Sequence, residues 1–212
     1  MTKNTLLIEL HYLPCIQYFV YLKSFSEVII DLGDKYDKQT YRNRCVINGA
    51  NNLEKLIIPI KKNRSEQRLT SELEIDYQQK WLGKHLRAIQ SCYGKAPFFE
   101  FYVDDLFDIF NKRPNNLLEL NKQLLTKCLE FLDFNINLKF DNVNFKRGEK
   151  YVRDAKNEIN PKNSISENVI FCPNPYFQVF GNNFVNNLSI IDLIFCEGPQ
   201  AGSIIQKSCA SL

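Results

Sequence analysis

The chain has 212 residues, 44% of them hydrophobic, 13% aromatic and 24% charged, which excludes disorder, collagen and coiled coil as whole-chain descriptions. Lys and Arg number 27 against 24 Asp and Glu, a net charge of +3, too weak a bias for a nucleic-acid surface. No apolar run approaches the ~20 residues that span a bilayer, and Glu9 and His11 come too early for a secretory leader, so a cytoplasmic location is expected.

Residues 5–10, Thr-Leu-Leu-Ile-Glu-Leu, read as a short buried strand. Pro14 suits the first position of a helix over 14–25, where Ile16, Phe19, Val20 and Phe25 form a stripe. Val28 to Asp31 is a second strand, and strand–helix–strand at this length predicts parallel pairing. The β-rich runs 41–47 and 55–60 flank Asn48-Gly49, which predicts a hairpin. Residues 61–68 form a charged, solvated loop. Three amphipathic helices follow over 79–94, 97–110 and 115–132. From 133 to 175 the chain is polar and rich in Asn and Lys. Ile136 to Phe140 reads as a strand there and the rest as a long loop or lid. Tyr176 to Phe180 reads as extended, and Ser189 with Asp192 as a capping box for a helix that Gly198-Pro199 ends.

The expected fold is α/β: an N-terminal strand–helix–strand core with an added β-hairpin, then a helical C-terminal half. It is expected to form one domain over 1–212. Its parts are an α/β part (1–78), a helical part (79–135), a polar loop or lid (136–175) and a C-terminal helical block (176–212).

On a strand over 41–47, Arg42 and Arg44 share a face about 7 Å apart. Two guanidiniums so placed make a fork for a phosphate or carboxylate, or a solvated face paired with nearby acids. Asn43, on the other side, either fixes a neighbouring loop or touches substrate. Trp81, His85, Ile89 and Cys92 share one side of a helix, where His85 is either a structural histidine or a general base. His11 ends a strand ahead of a helix N-terminus, where open parallel sheets bind ligands. The seven Cys include no CxxC pair and read as free, buried thiols. With two His in the chain, no metal site is expected.

Several ordered segments resemble the WbqC-like protein family. They are Tyr12-Leu13-Pro14 with Tyr18-Phe19, then Tyr36 to Arg44, and Leu56 to Ile60. Further on come Trp81, His85, Tyr93, Pro97 and Phe98-Phe99, then Tyr176 to Phe180 and Asn187 to Pro199. At the first loop, Leu10 to Cys15 lacks the Gln and the Trp that many relatives carry. The resemblance implies a place in bacterial surface-polysaccharide (O-antigen-type) synthesis. It further implies a transferase moving glycine or another aminoacyl or acyl group to an amino sugar. The alternative is a non-catalytic ligand-binding or scaffold protein of the same pathway. The candidate site that follows has His85 as the base. Lys38, Tyr41, Arg42, Asn43, Arg44, Trp81 and Tyr93 would contact a small anionic substrate, a nucleotide sugar or an activated acyl donor. No cofactor is expected.

Overall fold

The computed structural model describes residues 4–62, 68–142, 152–162, 170–181 and 183–209. Strand β1 (Thr5–Ile8), helix α1 (Ile16–Ser24) and strand β2 (Glu27–Asp31) form the expected parallel unit, Leu6 pairing with Val28. The hairpin follows as β3 (Arg44–Asn48) and β4 (Leu53–Ile57), closed by Gly49 to Asn52. Then come α2 (Trp81–Tyr93), α3 (Phe99–Asn111) and α4 (Leu117–Phe131), each within two residues of its predicted start.

Two further strands, β5 (Leu138–Asp141) and β6 (Val152–Asp154), complete a parallel sheet in the order β5-β2-β1-β6. The α/β class holds. Strand β5 overlaps the strand expected over Ile136 to Phe140, whereas β6, the other outer strand, arises within the remainder read as a loop or lid. Residues 143–151 and 163–169 of that segment lie outside the described residues. The chain ends in α5 (Ile190–Glu197), a 3-10 turn at Gly198–Gln200 and α6 (Ala201–Lys207). Buried apolar side chains from the sheet, the hairpin and the helices join one core cluster, and no described helix is long and apolar enough to cross a membrane.

The strand expected over 41–47 starts three residues late. The polar groups of Tyr41 to Asn43 are spent on tertiary partners instead of a ladder. The Tyr41 carbonyl accepts from Tyr12 N–H at 2.9 Å, the Arg42 carbonyl from Asn121 Nδ2 at 2.8 Å, and Asn43 Nδ2 donates to the Ile58 carbonyl at 2.8 Å. Asn43 therefore fixes the return of the hairpin. The capping box at Ser189 is also absent. Its hydroxyl donates to the Leu13 carbonyl at 2.8 Å, and Asp192 turns inward to Tyr93 and Tyr176.

Gly198 closes α5 at φ 50°, and a Cβ there would sit 2.5 Å from the Phe98 ring. Backbone strain and overlap with the ring of the residue that caps α3 act together. Gly198→Ala is expected to lower stability by about 2 kcal/mol, read as a shifted urea midpoint with an unchanged m-value.

Candidate functional site at the carboxyl end of the parallel sheet

From β1 the chain runs to β2 on one side, while β6 lies on the other, so the strand order reverses between β1 and β6. Open α/β sheets bind ligands at the carboxyl ends of strands flanking such a reversal. Here that place holds a buried set of charged groups. Glu9 and His11 follow β1 and are 1% and 0% exposed, and Arg42, from the turn before β3, is 0% exposed.

Arg42 is held as a fork. Its Nε and Nη2 donate to the two oxygens of Asp34 at 2.6 and 2.9 Å. Nη1 donates to Thr40 Oγ1 at 3.1 Å and lies 3.7 Å from Glu9 Oε1, while Nη2 also donates to Asn157 Oδ1 at 2.9 Å. Thr70 Oγ1 donates to Asp34 at 3.0 Å. Burial alone would lower the pKa of Arg42, but the bond to Asp34 and the charges of Glu9 and Asp34 raise it above its ordinary value.

Glu9 accepts from the Asn157 backbone N–H at 3.1 Å on each oxygen, with Asn157 held at φ 64°. Burial works against its ionisation, yet the bond from His11 and the charge of Arg42 prevail and its pKa lies below the ordinary value. His11 Nε2 is 3.1 Å from Glu9 Oε1. An ionised carboxylate only accepts, so Nε2 carries the hydrogen, and Nδ1 is the ring nitrogen left to take up or release a proton. That Nδ1 is buried without a partner. Nearby, Lys156 Nζ donates to Asp31 Oδ2 at 2.8 Å.

The outer side of this cluster is basic. Tyr36 is half-buried. Burial raises its phenol pKa, while the charges of Arg44, Arg68 and Arg42 pull the other way. Arg44 and Arg68 are half-buried, and among the described residues neither has a carboxylate within ion-pair distance. Arg44 Nε is also buried without a partner.

The arginines expected to project together are thus divided. Arg42 points inward onto acids of the fold, and Arg44 alone stays open to an anion. Tyr41 is half-buried, its ring 5.7 Å from that of His11, and Lys38 is exposed in the preceding turn. Trp81 and His85 lie elsewhere, in a cleft of about 420 Å³ between β4 and α2 that includes neither arginine. His85 Nδ1 is 3.0 Å from the Tyr12 hydroxyl. Burial drives its pKa down to about 4, against an opposing hydrogen bond to the Ile57 backbone. Tyr93 is apart from both places, donating to Asp192 Oδ1 at 2.8 Å and accepting from Asn48 N–H at 3.2 Å. Burial raises the pKa of Asp192, only partly offset by hydrogen bonds from Tyr176, Tyr93 and Gln178. The thiols of Cys92 and Cys45 are weak nucleophiles at neutral pH, since burial pushes Cys92 up to about 11 and Cys45 higher still.

Asp34 is one of three acids at and after the end of β2, with Asp31 and Asp37, that the sequence offers as partners for Arg42, and it is the one that pairs with it. Sequence reasoning missed Glu9, Asn157 and Arg68 as members of the site; the signal available for Glu9 was positional, two residues from His11 at a strand end.

A model of the WbqC-like protein family matches residues 10–168. The resembling block from Tyr176 to Pro199 falls outside the matched span. No curated protein and no solved structure matches the chain.

Proposed function

The chain belongs to the WbqC-like protein family, and on that premise we propose a cytoplasmic transferase of surface-polysaccharide synthesis that takes an anionic, activated sugar or acyl donor. The observation that carries this reading is that two half-buried guanidiniums, Arg44 and Arg68, both act on the Tyr36 phenol and have no carboxylate partner among the described residues. A phosphate or carboxylate of the donor would fill that place through paired, charge-assisted hydrogen bonds. Arg42, with Asp34 and Asn157, frames the site and does not touch the donor. His11 is the proton acceptor for an amine or hydroxyl nucleophile, because Glu9 orients its ring and Nδ1 is the nitrogen left to take up a proton. His85 is less suited to that work, being desolvated and hydrogen-bonded through Nδ1.

Arg44→Lys keeps the charge and loses the fork. It is expected to weaken binding of a nucleotide sugar such as UDP-N-acetylglucosamine by about 1–3 kcal/mol, measured by calorimetry, with stability changed by less than about 0.5 kcal/mol. A comparable loss of stability with binding intact would assign Arg44 to the fold and remove the basis of the reading.

A second reading, a ligand-binding protein of the same pathway that performs no chemistry, is favoured by the complete burial of His11. Single-turnover assays of His11→Gln separate the two. The transferase reading requires loss of turnover with donor binding retained.

A further inference from the structure

The cleft between β4 and α2 takes no part in the site just described. Its lining includes Glu54, Lys55, Gln79, Lys80, Trp81 and Lys84, with His85 also on its wall. Its volume of about 420 Å³ lies in the range of small-molecule sites.

Three independent features point to the same kind of ligand. The first is the start of α2. Its N-cap, Lys80, makes no side-chain cap bond, and the first turn carries no acid. The leading N–H groups of a 13-residue helix are therefore uncapped by any side chain, and the positive end of its dipole opens on the cleft. The second is charge. Lys55, Lys80 and Lys84 are exposed, and none is ion-paired to a described carboxylate. The third is Trp81, 5% exposed, whose indole Nε1 is buried without a partner. A buried donor left unmade is costly, and a ligand oxygen reaching it removes that cost. Trp81 and His85 on the cleft wall meet edge-on, ring centroids 5.0 Å apart, with Tyr77 tilted against the indole at 5.5 Å behind them, which holds the Trp81 ring in place beside these donors.

We propose that this cleft is a binding site for a phosphorylated or carboxylated monosaccharide. The anionic group would sit at the start of α2 between Lys80 and Lys84, with the sugar ring against Trp81. This site does not depend on the transferase reading, since it shares no residue with the Arg44–Arg68 place.

Trp81 is the single tryptophan of the chain, so its emission reports this cleft and nothing else. The full chain is titrated with glucose 1-phosphate, glucuronate, glucose and inorganic phosphate, with calorimetry in parallel. The two anionic sugars are expected to shift Trp81 emission saturably and to bind at least tenfold tighter than glucose. Inorganic phosphate should bind more weakly than glucose 1-phosphate, because it lacks the ring. The double variant Lys80→Gln, Lys84→Gln alters exposed side chains only and should weaken glucose 1-phosphate at least fivefold as read by Trp81 emission, whereas Lys112→Gln, an exposed lysine outside the cleft, should leave that reading unchanged. Binding of glucose as tight as that of its phosphate overturns the proposal. So does emission that stays fixed at saturation, or affinity lost equally in Lys112→Gln.

Discussion

Arg42→Ala is expected to cost the folded protein about 3–5 kcal/mol, the range for removing one partner of a buried ion pair. The side chain is 0% exposed and carries donors to Asp34, Thr40 and Asn157. Removing it strands two buried carboxylates, Asp34 at 7% and Glu9 at 1% exposure, and leaves a void where the stem ran. Arg42→Lys restores the charge without the fork and is expected to fall between Ala and the unaltered chain. Urea unfolding at neutral pH reads both. A loss below about 1 kcal/mol for Arg42→Ala would mean that the acids find other partners and that the cluster does not frame the site. The comparison with Arg44→Lys matters most, because two arginines one residue apart are assigned opposite roles.

Acid is expected to destabilise the protein through His85 before it reaches the carboxylates. The ring is 4% exposed and its pKa falls from 6.5 to about 4 on burial. The unfolded chain therefore binds a proton between those values that the folded chain does not, and stability drops as pH falls from about 6.5 to about 4. At about 1.4 kcal/mol per unit, the loss is on the order of 3 kcal/mol. Glu9, whose pKa is lowered from 4.5, adds to the loss in a more acidic window, as the pH falls through its folded value. Asp192 acts in the opposite sense. Its folded pKa is raised above 3.8, so protonating it favours the folded state as pH falls. His85→Gln should flatten the stability profile between pH 7 and pH 4.5 whatever its stability at neutral pH. A profile that keeps its slope in that variant would place the acid-sensitive group elsewhere.

The helices were legible because their information is local. In α2, α3 and α4 the buried side chains recur at spacings of three and four, and no distant partner is needed to reveal that. The same holds for β1, α1 and β2. Strand β6 was not legible. Val152-Arg153-Asp154 contains one apolar residue, and it is a strand because β1 offers a free edge. The start of β3 was misjudged for a related reason: Tyr41 to Asn43 look like strand residues, but Asn121 and Ile58 claim their polar groups from far along the chain. The site divides in the same way. His11 at a strand end and Arg44 in a basic run were visible in the sequence. The pairing of Arg42 with Asp34, and the 148 residues separating Glu9 from Asn157, are products of the sheet order. The acids that follow β2 are visible as possible partners for Arg42, but no local pattern selects Asp34 among them, and none brings Asn157 to Glu9.

The sheet order also governs when the protein can become itself during synthesis. Strand β1 is made first and sits inside the sheet, between β2 and β6, with Thr5 opposite Val152. Its second edge therefore stays unpaired on the ribosome until residues 152–154 have emerged, and the outer edge of β2 waits for Leu138 to Asp141. At about 5–20 residues per second, that is an interval of roughly seven to thirty seconds. Throughout it, Leu6, Leu7 and Ile8 present an apolar, unsatisfied strand to the surroundings. Glu9 likewise lacks the Asn157 N–H that helps hold its charge, so the future site cannot be completed before residue 157 emerges. The growing chain is thus a natural client for a holding chaperone, and slowed elongation before residue 138 would lengthen its exposure to aggregation.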